Sequence, residues 1–152
     1  VPIDVLSRRA RWNTESLRRG KSKIQGMGLF AMHDIAAEDV VAEYMGELID
    51  NDATDQRQIQ YDKEGVSEYL FRLSSTEVID ATVFGGTARY INHSCEPNCY
   101  ASSKTRRVFM YASRDIQAGE ELTYDYQFPA GSPIACVCGS VTCRGTFQLL
   151  PD

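Results

Sequence analysis

Apolar positions in this chain recur in short alternating runs rather than in long helical stripes. Tyr69–Leu73, Val78–Ala81, Tyr100–Ser103 and Val108–Ser113 each read as a short strand bounded by glycine or polar clusters. Gly26-Met27-Gly28-Leu29-Phe30-Ala31-Met32 reads as a glycine turn entering a strand, and Asp39 to Ile49 as a β segment with a bulge or turn at Gly46. Gly119 marks a turn before Leu122-Thr123-Tyr124-Asp125-Tyr126. Two stretches carry helix signals. Residues 4–19 set Val5, Leu6, Ala10, Trp12 and Leu17 on an imperfect apolar stripe among arginines, ended by Gly20. Asp50, Asn51 and Asp52 offer N-caps to a polar stretch that runs to Lys63 and is closed by Gly65. Gly85-Gly86-Thr87 starts one helical turn through Arg89. The pattern predicts a mainly β chain with a few short helices, built from small sheets rather than a parallel α/β core.

A length of 152 residues fits one domain, large enough to bury roughly 68–70% of its unfolded surface. With 43% hydrophobic and 24% charged residues the composition is that of a globular protein. No apolar run approaches a membrane span, so no membrane contact is expected. The opening Val-Pro-Ile-Asp-Val lacks the charged-then-apolar layout of a secretory signal. Charge changes the picture more. Residues 1–23 carry Arg8, Arg9, Arg11, Arg18, Arg19, Lys21 and Lys23 against Asp4 and Glu15, so the remainder of a chain with net charge −5 carries −10. Such an acidic body suits a cationic partner, for example a Lys/Arg-rich peptide, while the basic arm raises nucleic acid as an alternative partner.

The five cysteines add the chemistry. Cys136, Cys138 and Cys143 form a C-x-C-x4-C cluster, and Cys95 lies far upstream within Asn92-His93-Ser94-Cys95. An odd count, neighbours one residue apart and no secretory signal favour reduced thiols over disulfides. With Cys95 as fourth ligand the set makes a tetrahedral zinc site, closed and therefore structural, which ties the C-terminal tail to the Asn92-His93 turn. Cys99 is left as a free, buried thiol.

Three segments read together: Gly26-Met27-Gly28-Leu29-Phe30, Arg89-Tyr90-Ile91-Asn92-His93-Ser94-Cys95, and Gly119-Glu120-Glu121-Leu122-Thr123-Tyr124-Asp125-Tyr126 followed by the cysteine cluster. This ordered set, spanning about residues 21–149, resembles the SET-domain protein lysine methyltransferases. Glu43-Tyr44-Met45-Gly46-Glu47, Tyr69-Leu70-Phe71-Arg72, Ile79-Asp80-Ala81-Thr82 and Cys143-Arg144-Gly145 resemble the trithorax/MLL type, which methylates lysine-4 of histone H3. The resemblance implies small sheets around a pseudoknot in which the Asn-His-Ser-Cys and Tyr-Asp-Tyr segments are threaded side by side. It implies a flanking helix over 1–20, the SET domain over 21–128 with a variable insert at 51–68, and a post-SET zinc segment over 129–152.

The resemblance also implies a site for S-adenosylmethionine. Gln25, Gly26, Met27 and Gly28 would approach it with backbone, Asn92 and His93 would hold its amino-acid end and adenine edge, Val137 would present backbone to the adenine, and Tyr69 would line the junction with substrate. Tyr126 is the expected catalytic phenol and Tyr124 matches the family's Phe/Tyr product switch, a tyrosine implying mainly monomethylation. His33 falls outside these motifs and is expected at the surface. The turn Ser103–Arg107 and the link Phe128 to Cys136 are shorter than in many relatives. The implied partners are the histone H3 N-terminal tail, the nucleosome, and WD-repeat and SPRY-domain accessory subunits; the implied location is the nucleus. The competing reading is a catalytically silent zinc-stabilised module that binds basic histone tails.

Overall fold

Strands in this chain are short because each apolar run meets a glycine or polar turn within a few residues. The computed structural model describes residues 16–127 and 134–147. Among them, ten strands form four small sheets around one α-helix and one 3-10 turn. β1 (Leu17–Lys21) pairs antiparallel with β2 (Met27–Ala31). β3 (Val40–Tyr44) joins β8 (Cys99–Lys104) and β9 (Arg107–Ala112) in the order β3-β9-β8, and β4 (Glu47–Asp50) joins β5 (Leu70–Arg72) and β6 (Glu77–Asp80) in the order β4-β6-β5. β7 (Asn92–His93) and β10 (Thr123–Tyr124) form a parallel pair. The 3-10 turn is Thr87–Tyr90. No helix among the described residues is long and apolar enough to cross a membrane.

The helix expected over residues 4–19 is corrected at its C-terminal end. Leu17–Lys21 is strand β1, and Gly20 lies inside it opposite Gly28 instead of ending a helix. Pairing with β2 overrides the local helical stripe, and the Arg18 guanidinium lies over the Phe30 ring on the facing strand. Residues 1–15 fall outside the described residues, as does most of the link from Phe128 to Cys136.

α1 (Asn51–Glu64) has the boundaries its caps dictate. Asp50 Oδ1 accepts the Ala53 N–H at 2.8 Å, and Gly65 adopts φ 67°. Gly65 N–H then reaches Asp62 O and Val66 N–H reaches Tyr61 O, closing the end in a Schellman arrangement. Of the helix residues, Thr54 and Tyr61 are buried. A helix this polar cannot be held by an apolar stripe and needs polar anchors.

The core, with Leu29, Ile91, Cys99, Val108, Met110, Ile116 and Leu122 almost fully buried, lies between the sheets. Cys99 is the small buried thiol the cysteine count left over, and burial pushes its pKa up to about 12. His33 is exposed, as expected.

The β8–β9 hairpin turns on two residues, Thr105 and Arg106, both with positive φ (51° and 61°). This is the type I′ geometry that favours Asn and Gly, and a β-branched threonine is strained there. Thr105→Asn is expected to raise stability by about 0.5–1 kcal/mol, read as a rise of about 1–4 °C in Tm. An unchanged or lower Tm would show that the turn carries no strain.

Candidate active site

β7 and β10 are two residues long and parallel, so a ladder this short cannot hold register alone. Asn98, buried beside them, supplies the lock. Its Nδ2 donates to the Glu121 carbonyl at 2.8 Å and its Oδ1 accepts the Thr123 N–H at 2.9 Å. Ser94 N–H continues the pairing to the Tyr124 carbonyl. The Asn-His-Ser-Cys and Tyr-Asp-Tyr segments therefore do run side by side, as a pseudoknot requires.

Asn92 faces the turn between β1 and β2. Its side-chain amide donates to the carbonyls of Gln25 (3.0 Å) and Met27 (3.1 Å) and to Glu121 Oε1 (3.0 Å). The Ser22 hydroxyl donates to the same carboxylate. Gly28 is glycine because a Cβ there would stand 2.3 Å from Glu121 Oε1. Its small size thus admits the Glu121 carboxylate, a partner that the motif alone did not reveal. Gln25, Gly26 and Met27 are exposed, and Gly26 faces open space.

His93 is 2% exposed. Its Nδ1 accepts the Tyr126 N–H at 3.1 Å, which leaves the proton on Nε2, 3.4 Å from Cys95 Sγ. Burial, helped by the Arg144 charge and opposed by Asp125, lowers its pKa and keeps the ring neutral. The Phe147 ring lies 4.4 Å from it, centroid to centroid, and Tyr126 packs edge-on at 5.3 Å.

Beside this lies a cluster of aromatic rings. Tyr124 sits 4.7 Å from Tyr126 and 6.2 Å from Phe71, which in turn is 5.1 Å from Tyr44. The Tyr126 hydroxyl donates to the Ile91 carbonyl at 2.7 Å. Half-buried Tyr69 packs edge-on against Tyr90, with the Arg89 guanidinium over both rings. Burial, and then the mutual repulsion of neighbouring phenolates, raises the pKa of Tyr44, Tyr124 and Tyr126 well above the ordinary phenol range. All three stay neutral at physiological pH.

The tail closes over this cluster. Cys95, Cys136, Cys138 and Cys143 place their sulfurs within 4.8 Å of one another. Cys95 Sγ is 3.8 Å from Cys136 Sγ and 4.0 Å from Cys143 Sγ. A tetrahedron of sulfurs about 2.3 Å from a zinc ion has edges of about 3.8 Å, so the donor set and its spacing fit that ion. Amide N–H groups of Arg144 and Gly145 donate to Cys95 and Cys143 sulfur, as they do around thiolates. Arg144 clamps Asp125 with both terminal nitrogens (2.7 and 3.0 Å), and the bridge between Ala135 and Thr146 returns the chain to Phe147. Val137, between two thiols, is 60% exposed.

Asn92, His93, Tyr124 and Tyr126 thus meet at β7 and β10, with Gln25 and Met27 on one side and the thiols on the other, while Tyr69 lies against Tyr90 and Val137 is exposed. Sequence reasoning passed over Asn98, Glu121, Phe147 and the Asp125–Arg144 pair. Glu121 and Arg144 stood within quoted motifs, but nothing local marked which contacts they make.

The model for the family described as SET domain matches residues 26–127. "Histone-lysine N-methyltransferase, H3 lysine-4 specific" of Schizosaccharomyces pombe is 47% identical over 137 residues, covering 86% of this chain and 15% of that protein. "Histone-lysine N-methyltransferase set1" of Dictyostelium discoideum is 44% identical over 153 residues, 97% of this chain and 10% of that protein. "Histone-lysine N-methyltransferase SETD1B" of Homo sapiens is 44% identical over 144 residues, 91% of this chain and 7% of that protein. The chain therefore spans a small part of the length of each of these relatives.

Proposed function

This chain belongs to the SET-domain family, and on that premise we propose that it is a histone lysine methyltransferase acting on histone H3, at lysine-4, and adding mainly one methyl group when the domain acts alone. The observation that carries the reading is the threading of β7 beside β10, which sets Asn92 and His93 against Tyr124 and Tyr126 under a tail held by four thiols. The names of the matched relatives support the substrate.

S-Adenosylmethionine, when bound, supplies a sulfonium methyl group. The residues present suit it. Carbonyl groups at Gln25 and Met27 and the Glu121 carboxylate offer electronegative partners to a cation, and the half-buried Phe147 ring, packed on buried His93, offers an aromatic face to a purine. Gln25, Gly26, Met27, Gly28, Tyr69, Asn92, His93 and Val137 are the residues that would hold it. Zinc fits the four thiols and has a structural role there, since four sulfurs leave no position for a reacting water.

Lysine must attack as the neutral amine, and losing its proton at pH 7 costs about 4.6 kcal/mol from a pKa near 10.4. Tyr44, Phe71, Tyr124 and Tyr126 form a poorly solvated lining that disfavours the ammonium. None of these phenols ionises to accept the proton, and the Nδ1 of His93 is occupied by the Tyr126 amide. The proton therefore leaves to solvent before transfer. Tyr126 orients the amine, and alignment supplies most of the rate. The acidic body attracts the basic H3 tail. WD-repeat and SPRY-domain subunits, the nucleosome and a nuclear location complete the proposal.

Mass spectrometry of an H3 N-terminal peptide tests it. A single added methyl is expected, absent when lysine-4 is replaced by alanine. Tyr124→Phe frees space beside the amine and is expected to shift the product toward di- and trimethyllysine. Binding of the peptide with no methyl added, at saturating donor, would instead select the silent binding module.

A further inference from the structure

We propose that Asp80 and Thr82 form a positioning relay that transmits the placement of α1 to Tyr69. The inference rests on reading Tyr69 as part of the methyl-transfer site.

The starting point is the polar character of α1. Two of its side chains fasten it to the β4-β6-β5 sheet, and both end on one carboxylate. The Tyr61 hydroxyl donates to Asp80 Oδ2 at 2.7 Å, and Arg57 donates to the same oxygen at 2.9 Å and to Glu47 Oε2 at 2.8 Å. Asp80 is 2% exposed. A carboxylate so buried persists as an anchor only when its oxygens are fully occupied. Burial alone would raise its pKa, but the hydrogen bonds from Tyr61, Thr82 and Arg57 outweigh that and lower it.

The other oxygen faces the turn that carries Thr82. Asp80 Oδ1 accepts the Thr82 N–H at 2.9 Å. The Thr82 hydroxyl oxygen accepts the Tyr69 N–H at 3.0 Å. The Tyr69 carbonyl accepts the Ala81 N–H at 2.8 Å. Arg89 donates to the carbonyls of Ala81 and Thr82 and lies over the Tyr69 ring. One turn, residues 81–82, thus fixes Tyr69 at its amide, its carbonyl and its ring face. That turn is itself fixed by the carboxylate on which α1 is docked. Moving α1 withdraws two donors from Asp80, loosens its hold on residues 81–82 and frees Tyr69.

Thr82→Val keeps shape and removes the acceptor; Thr82→Ser keeps the acceptor. Tyr61→Phe removes one oxygen on the far side of Asp80. Two measurements decide. In amide hydrogen exchange, Tyr61→Phe and Thr82→Val are each expected to speed exchange at Tyr69 while leaving Leu122, whose N–H donates to the Leu29 carbonyl, protected. In methyl transfer, Thr82→Val is expected to lower kcat roughly tenfold with donor Kd unchanged, and Thr82→Ser to restore it. The Tyr61→Phe/Thr82→Val double variant should fall no further than Thr82→Val alone. Tyr69 exchange untouched by Tyr61→Phe, or kcat losses that multiply independently, overturns the relay. If Thr82→Val does not fold, Tyr61→Phe carries the exchange test by itself. An inactive wild-type protein overturns the functional reading instead, and the exchange result still judges the relay.

Discussion

Cys138→Ser, or removal of metal by a chelator, is expected to cut methyl transfer by roughly a hundredfold or more while the sheets stay folded. Residues 134–147 have little of their own to hold them. Ile134, Val137 and Val141 are exposed, and the segment's backbone is tied by a few bonds such as Cys136 N–H to Gly145 O and Phe147 N–H to Ile134 O. Metal–thiolate binding is worth about 10–16 kcal/mol in small zinc modules, more than those contacts can replace. Without the cluster, Arg144 leaves Asp125 and Phe147 leaves the His93 ring. The core keeps its own contacts and should melt as a separate transition. One zinc per chain by elemental analysis, loss of activity with a raised donor KM, and rapid proteolysis of the tail are the expected readings. Full activity in metal-free protein would remove the tail from the site.

Tyr126→Phe is expected to lower kcat by about 10²–10³, because the hydroxyl held on the Ile91 carbonyl presents its lone pair to the amine and alignment supplies most of the rate. The phenol is fixed at both ends: its backbone N–H on His93 Nδ1 and its hydroxyl on the Ile91 carbonyl. Neither contact holds the sheet core, and the ring that packs against His93, Tyr124 and Phe147 is kept in phenylalanine. Donor affinity, by calorimetry, should therefore stay within a few-fold. Near-normal turnover would take Tyr126 out of the chemistry, and a parallel loss of donor affinity would make it a binding residue.

What could be read from sequence was what local spacing encodes. α1 announced itself through Asp50 and Gly65, the β8–β9 hairpin through alternation on either side of a polar turn, and the thiol cluster through C-x-C-x4-C. β1 was misread because its arginines carry no strand signal; the reason for a strand is β2, opposite it. β7 and β10 are too short to show any period, and what fixes them is Asn98, whose partners lie more than twenty residues away. The contacts of Glu121 were hidden for the same reason. Its place is set by Gly28, Ser22 and Asn92, from two distant segments that meet only in the folded chain.

The parallel pair also sets a timetable for biosynthesis. A nascent polypeptide that has emerged as far as Ala112 already contains every strand of three sheets. It still lacks the partner of Asn92–His93 and three of the four sulfurs. Joining segments so far apart carries a loop-closure penalty that slows assembly. The proposed centre is thus completed only after Thr123 and the last sulfur, Cys143, have emerged, and termination before Thr123 would leave three sheets without the parallel pair.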